Sequence, residues 1–213
     1  MIRRHMMRRE MMRGGMVGGL VLTALSAAGC SVLPSQAYLQ RRDWPLSVSR
    51  PQALPSRRGG RILLARTVQA GPGLEGRGLR TLEQDGSEHT SFYEQWAVPP
   101  AEAVDDDLRR WLAASGLFGA VVAPGSRLQA DLVLEGELTV LHADLGNGTA
   151  QAALALVLID QHPTPARVLL QRTETASVKL DGTDTPAQAH AQVAAVEAAL
   201  RQTEADIAAA LGP

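Results

Sequence analysis

The sequence predicts an α+β fold: a single domain with a mostly antiparallel or mixed sheet and two helices packed on one of its faces. Three observations carry this. Residues 132–179 hold three long segments of alternating apolar and polar residues, the first two joined by the hairpin signal Gly146-Asn147-Gly148. Two stretches, near residues 100–112 and 185–211, repeat apolar residues at helical spacing, and each opens with a proline. The order of elements is strands, helix, strands, helix, which in a compact chain places helices against a sheet.

Taken from the N-terminal side, Tyr38-Leu39-Gln40 is short enough for a first strand at a sheet edge, where the neighbouring prolines are tolerated. Ile62 to Val68 is a compact apolar run closed by Gly71-Pro72-Gly73 and reads as a strand. His89 to Trp96 alternates, with Phe92 and Trp96 expected on one face and Tyr93 on the other. Pro99-Pro100 ends it and starts a helix with Val104, Leu108, Trp111 and Leu112 on one side. The acids Glu102, Asp105, Asp106 and Asp107 fall early in that helix, where its dipole favours negative charge, and Gly116 suits its C-terminal end. A short strand around Ala120 to Ala123 precedes Leu132–His142, whose core face is expected to be Leu132, Leu134, Gly136, Leu138 and Val140. Thr149–Ile159 is apolar on both faces at its end and reads as central. Ala166–Lys179 turns polar at Thr173, Thr175 and Ser177, as for a strand leaving the core toward solvent or a partner. A final helix from Thr185-Pro186 carries Val193, Val196, Leu200, Ile207 and Leu211 on one stripe.

The N-terminal segment has a different character. Arg3, Arg4, Arg8, Arg9 and Arg13 precede an apolar stretch from Met16 to Ala28, then Ala27-Ala28-Gly29-Cys30. A basic region, an apolar core and small residues before a cut are the parts of a secretory signal. The stretch is too short and glycine-rich for a bilayer span of about 20 apolar residues. Leu25 to Cys30 resembles the lipobox of bacterial lipoproteins, although the position three before the cysteine, usually leucine, is Ala27. That resemblance implies cleavage between Gly29 and Cys30 and attachment of lipid to Cys30. The alternatives are an ordinary secretory signal with an incidental cysteine, or a buried apolar segment with a free thiol. Methionines at 1, 6, 7, 11 and 12 leave the translation start open. Residues 1–29 are thus expected to be a signal peptide, residues 30–60 a lipidated, proline-rich tether, and residues 61–213 the folded domain.

Composition narrows function. The chain has 21 basic and 22 acidic residues and 3% aromatics, with no cluster of cations and stacking rings, so no nucleic-acid surface is indicated. With one cysteine, the domain stands without disulfides. Gly71-Pro72-Gly73-Leu74-Glu75-Gly76 matches GxGxxG, but Pro72 and Gly78 oppose the helix that dinucleotide binding requires. The histidines at 5, 89, 142, 162 and 190 lack metal-ligand spacing, and the pair His142 and Asp144 is accounted for as polar hairpin residues. Asp105-Asp106-Asp107 point around a helix and cannot converge on one cation. Ser91, Ser115, Ser126 and Ser177 lack a nucleophile elbow, and Asn147-Gly148-Thr149 reads as a turn rather than a glycosylation site. No catalytic residue, metal or cofactor is expected.

The assembled pattern resembles the ABC-type transport auxiliary lipoprotein family, of the paraquat-inducible lipoprotein type associated with mammalian-cell-entry (MCE) systems. The matching residues are the lipobox at Cys30, Tyr38-Leu39, Arg61–Val68 with Gly73-Leu74, and above all Phe92-Tyr93-Glu94-Gln95-Trp96-Ala97-Val98-Pro99-Pro100 followed by Ser115-Gly116-Leu117-Phe118. Where the family commonly has arginine before the tryptophan, this chain has Gln95. The resemblance implies a non-enzymatic, lipid-anchored protein on the periplasmic side of the envelope. Its implied partners are an MCE-domain protein and an ABC permease and ATPase, in moving phospholipid or other lipid between membranes. It is compatible with a monomer or a homo-oligomeric ring. Ser31 stands where inner-membrane retention usually uses aspartate, which favours the outer membrane. Two other readings stand beside it: a lipoprotein assembly module of another export or lipopolysaccharide machine, which would share the anchor and the domain, and a periplasmic hydrolase with a site assembled from distant residues.

Overall fold

The strand Leu132–Asp144 organises the molecule, because seven other strands attach to it directly or through one neighbour. The computed structural model describes residues 39–162 and 164–212. In chain order the strands are β1 (Arg42–Trp44), β2 (Ile62–Ala65), β3 (Gln69–Ala70), β4 (Gly78–Leu82), β5 (Glu88–Trp96), β6 (Ala120–Val122), β7 (Leu132–Asp144), β8 (Thr149–Asp160) and β9 (Arg167–Lys179). The helices are α1 (Pro100–Ala113) and α2 (Thr185–Leu211).

One edge of β7 pairs antiparallel with β8, and β8 with β9, giving a long three-stranded meander. The other edge is shared by three short parallel strands in succession. β2 pairs near Leu132–Leu134, β3 at Glu137–Leu138 and β4 at Ala143–Asp144. β6 extends β2, while β5 and then β1 extend β4, so this side of the nine-stranded open sheet divides into two arms. The sheet is mixed, as expected, and its long ladders are the antiparallel ones.

Both helices cover one face. α2 lies along β9, β8 and β7, and α1 packs on β6, β3 and α2. Leu132, Leu134, Leu138 and Leu141 of β7 join Leu154, Leu156 and Leu158 of β8 in one core with Val104, Leu108, Trp111 and Leu112 of α1 and Val196, Leu200 and Ile207 of α2. Alanines at 189, 195 and 199 are buried on α2 and let it approach the sheet closely. Asp184 caps its start, with the carboxylate accepting from Ala187 N at 3.2 Å.

Several expectations change. The folded unit begins at Gln40, well before Arg61. Arg42–Trp44 pairs in parallel with Glu94–Trp96, and Leu46 and Val48 are buried in the core. The segment is held although its prolines deny it a longer strand. The first strand therefore lies at 42–44, not at Leu39-Gln40; Tyr38 is outside the described residues. Val140 is not on the core face. A β-bulge at Thr139 shifts the register, and Leu141 and Ala143 take over burial from Leu138. Val193 and Leu211 flank the core rather than enter it. Phe92 does not share burial with Trp96, because a bulge in β5 lies between them. Among the described residues, no helix is long and apolar enough to cross a membrane.

Candidate interaction site

The segment Phe92 to Pro100 is where the sequence is most distinctive, and the structure gives it two opposite environments. Trp96 is buried at the root of α1, with its backbone N–H donating to Arg77 O at 2.7 Å. Beside it in the parallel register is Trp44, whose indole N–H donates to Glu94 Oε2 at 2.8 Å and whose carbonyl accepts from Ala97 N. Gln95 donates through Nε2 to Asp43 Oδ1 at 2.7 Å, so a neutral donor ties β5 to β1.

Four residues earlier the strand is exposed. Between the pairs Gly78↔Gln95 and Arg80↔Thr90, β5 carries three more residues than β4, an odd number that inverts its alternation. Ser91 Oγ accepts from Glu94 N at 3.0 Å and closes the bulge. Gly78 lies beneath it, and a Cβ there would come within 2.4 Å of Ser91 O, so only glycine allows this approach. The bulge leaves Phe92 65% and Tyr93 42% exposed, edge-to-face at 5.1 Å, with the Arg41 guanidinium 4.2 Å from the centre of the Phe92 ring.

A second open region is the sheet face away from the helices. Two adjoining solvent-open grooves, of about 470 and 670 Å³, meet at Gln69, Glu135 and Gly136 in the fork between the arms. Glu137, Ala155, Val157, Gln171 and Thr173 line one, and Arg66 and Thr67 the other. Arg66 pairs with Glu135 at 3.1 Å. Beyond this face β9 pairs only with β8 among the described strands, leaving a thirteen-residue edge fringed with Arg167, Gln171, Thr173, Thr175 and Lys179. Polar and charged side chains are what keep such an edge from indiscriminate pairing.

The acids of α1 do more than complement its dipole. Asp107 is fully buried, accepts from Val48 N at 2.8 Å and is paired with Arg110. Burial pushes its carboxyl pKa up, against the opposing pull of the Val48 bond and Arg110. Asp105 accepts from Val68 N at 3.0 Å and pairs with Arg109 at 2.7 Å. These acids are staples for two loops, a role that sequence spacing alone does not disclose.

The remaining polar candidates also serve the fold. Gly71–Gly76 forms turns that lead into β4, and no helix starts there. His142 is half-buried, and loss of hydration lowers its pKa despite nearby Asp144 and Glu88. Asp144 holds Asn147 in the β7–β8 turn through both its N–H and its side-chain amide. His162 contacts Asp131, whose carboxyl is held low chiefly by the Ile62 N–H at 2.6 Å. Ser115 and Ser126 bond to the backbone of their own turns. Among the described residues, no three His, Cys, Asp or Glu side chains cluster for a metal. Gly29 and Cys30 lie outside the described residues.

Comparison with known proteins places this arrangement of buried staples and exposed surfaces in a family. The family model described as the ABC-type transport auxiliary lipoprotein component matches residues 45–208. The chain belongs to the ABC-type transport auxiliary lipoprotein family. Members of this family are lipoprotein components associated with ABC transport systems in the cell envelope, which accords with a non-enzymatic role. The match begins at Pro45, within the segment that the structure adds to the domain. Among solved structures, a Xanthomonas campestris protein of the DUF330 family shares 19% identity with a TM-score of 0.66, over 79% of this chain and 96% of that one. An uncharacterised protein shares 20% identity with a TM-score of 0.53, over 78% and 99%. A hypothetical protein of Chlamydia trachomatis shares 11% with a TM-score of 0.50, over 70% and 99%. At these identities the likeness concerns the fold. No curated protein matches the chain.

Proposed function

We propose that this protein is a lipid-anchored periplasmic auxiliary of an MCE-type ABC transporter that moves phospholipid or another lipid between inner and outer membranes. The observation that carries the reading is family membership across residues 45–208, joined to a lone cysteine behind a signal-like segment. In this reading Gly29–Cys30 is the cleavage site, and Cys30 carries two or three acyl chains. At about 0.8 kcal/mol per buried CH₂, these retain a protein on a bilayer without a spanning helix. Ser31 after the cysteine favours the outer membrane. The folded unit beginning at Gln40 leaves a tether of about ten residues, shorter than the sequence alone indicates.

The MCE-domain partner docks on the open sheet face or adds a strand to the β9 edge, where main-chain bonds supply affinity and the fringe of polar side chains supplies selectivity. Several copies of the chain can surround such a partner. Copurification of the tagged, acylated protein from its native envelope tests the reading. Recovery of an MCE-domain protein with its ABC permease is expected, and recovery of a different export machine alone would overturn it.

A further inference from the structure

We propose that Phe92 and Tyr93, with Arg41, form a second membrane contact that seats in the phospholipid headgroup layer and fixes the orientation of the anchored domain. The proposal rests on the reading that Cys30 is the anchor. Two adjacent aromatic residues on one strand rarely both face water, since alternation buries one of them. Here the bulge lifts both out, and the rings are edge-to-face with a guanidinium stacked on the outer one. Among the described residues Arg41 has no acidic partner, and Arg42 is 66% exposed with Glu94 only within 3.7 Å. A tyrosine beside arginine settles at the level of lipid headgroups, its ring in the acyl boundary and the cation at phosphate, and the Phe92 ring adds apolar area to the same contact.

The position of this tip selects a membrane over a protein. Arg41 is the second residue of the folded unit, and Phe92 lies against it. Arg41 is the eleventh residue after Cys30, so even a fully extended chain, at about 3.3–3.6 Å per residue, keeps the tip within about 40 Å of the anchor. The chain therefore enters the folded unit at the tip itself. Complete burial of both rings, at about 150–250 Å² each, would still fall short of the roughly 800 Å² per side of a stable protein interface. That area is adequate for a contact already concentrated at the surface by acyl chains, where it sets orientation rather than affinity. Along β7, the β4–β5–β1 arm that bears the tip attaches about ten residues from the β2–β6 arm, about 30 Å at strand spacing. Seating the tip holds the β2–β6 arm away from the bilayer.

The test uses full-length protein isolated from its envelope and reconstituted in phosphatidylethanolamine–phosphatidylglycerol vesicles, with amide hydrogen exchange as the readout. The reference is Cys30→Ala protein free in solution. Slower exchange on vesicles is expected at Ser91–Gln95 and not at Ser126–Leu128 beside β6, and the slowing should be lost in a Phe92→Ser/Tyr93→Ser variant. Equal exchange at Ser91–Gln95 on and off vesicles overturns the proposal, as does slowing that occurs only when an envelope protein is added. Mass spectrometry of Cys30 reports separately on the anchor. If that thiol is free, the anchor reading fails, and coupling the same thiol to maleimide-bearing phospholipid permits the same comparison at the tip.

Discussion

The carboxylate of Asp107 on α1 receives the backbone N–H of Val48, fifty-nine residues earlier, at 2.8 Å in a fully buried setting. This bond, with the burial of Leu46 and Val48, turns a proline-bearing segment into part of the domain. Because a buried donor left without its acceptor typically costs about 1–3 kcal/mol, Asp107→Ala should lower unfolding free energy by that amount. Denaturant unfolding measures it. Limited proteolysis should then cut within residues 45–58 before any other site, whereas Asp107→Asn, which retains an acceptor, should resist better.

Trp96 fills the core where β5 meets α1, and Trp96→Ala should destabilise by about 3–5 kcal/mol. Thermal unfolding checks this. An unchanged melting temperature would mean that the indole is not buried as described.

Glu174 of β9 is buried against Asp206 of α2, and Arg172 pairs with Asp206 at 2.7 Å but reaches Glu174 only at 3.7 Å. Burial first, and then the neighbouring Asp206, raise the Glu174 pKa. A carboxyl whose folded pKa is raised binds its proton more tightly in the native state. Its ionisation therefore costs nothing at acid pH, and the cost grows as pH climbs from the ordinary carboxylate range through the raised value. Glu174→Gln resembles the protonated form without that cost. Its melting temperature should exceed that of the parent at pH 8, and the difference should vanish near pH 3. A difference independent of pH would contradict this account.

Cys30→Ala should give a protein that folds but leaves the membrane fraction. Fractionation after a salt wash checks it, and persistence in the membrane would contradict lipid anchoring.

The elements legible in the sequence are those long enough to show a period. α1 came from Val104, Leu108, Trp111 and Leu112, all buried, and the β7–β8 hairpin from its glycine-bearing turn, with Gly148 at φ 64°. β3 and β4, of two and five residues, are too short to establish alternation, and β1 is masked by neighbouring prolines. Parity fails at bulges: Thr139 moves the β7 core face from Val140 to Leu141, and Ser91–Glu94 exposes Phe92. An extra residue in one strand leaves no mark in that strand's own pattern, because its cause is the register of a partner. For the same reason the acids of α1 read as dipole complements, while their loop partners, Val48 and Val68, appear only in three dimensions. The resemblance was legible because the residues that carry it are contiguous in sequence, from Phe92 to Pro100.

A photo-crosslinking residue at Thr173, on the open sheet face, tests the central claim in living cells most directly, with Arg201 on the outward side of α2 as the control site. An adduct between position 173 and an MCE-domain protein is expected, with none from position 201. An adduct from 173 to a lipopolysaccharide-export or secretion component instead would contradict it.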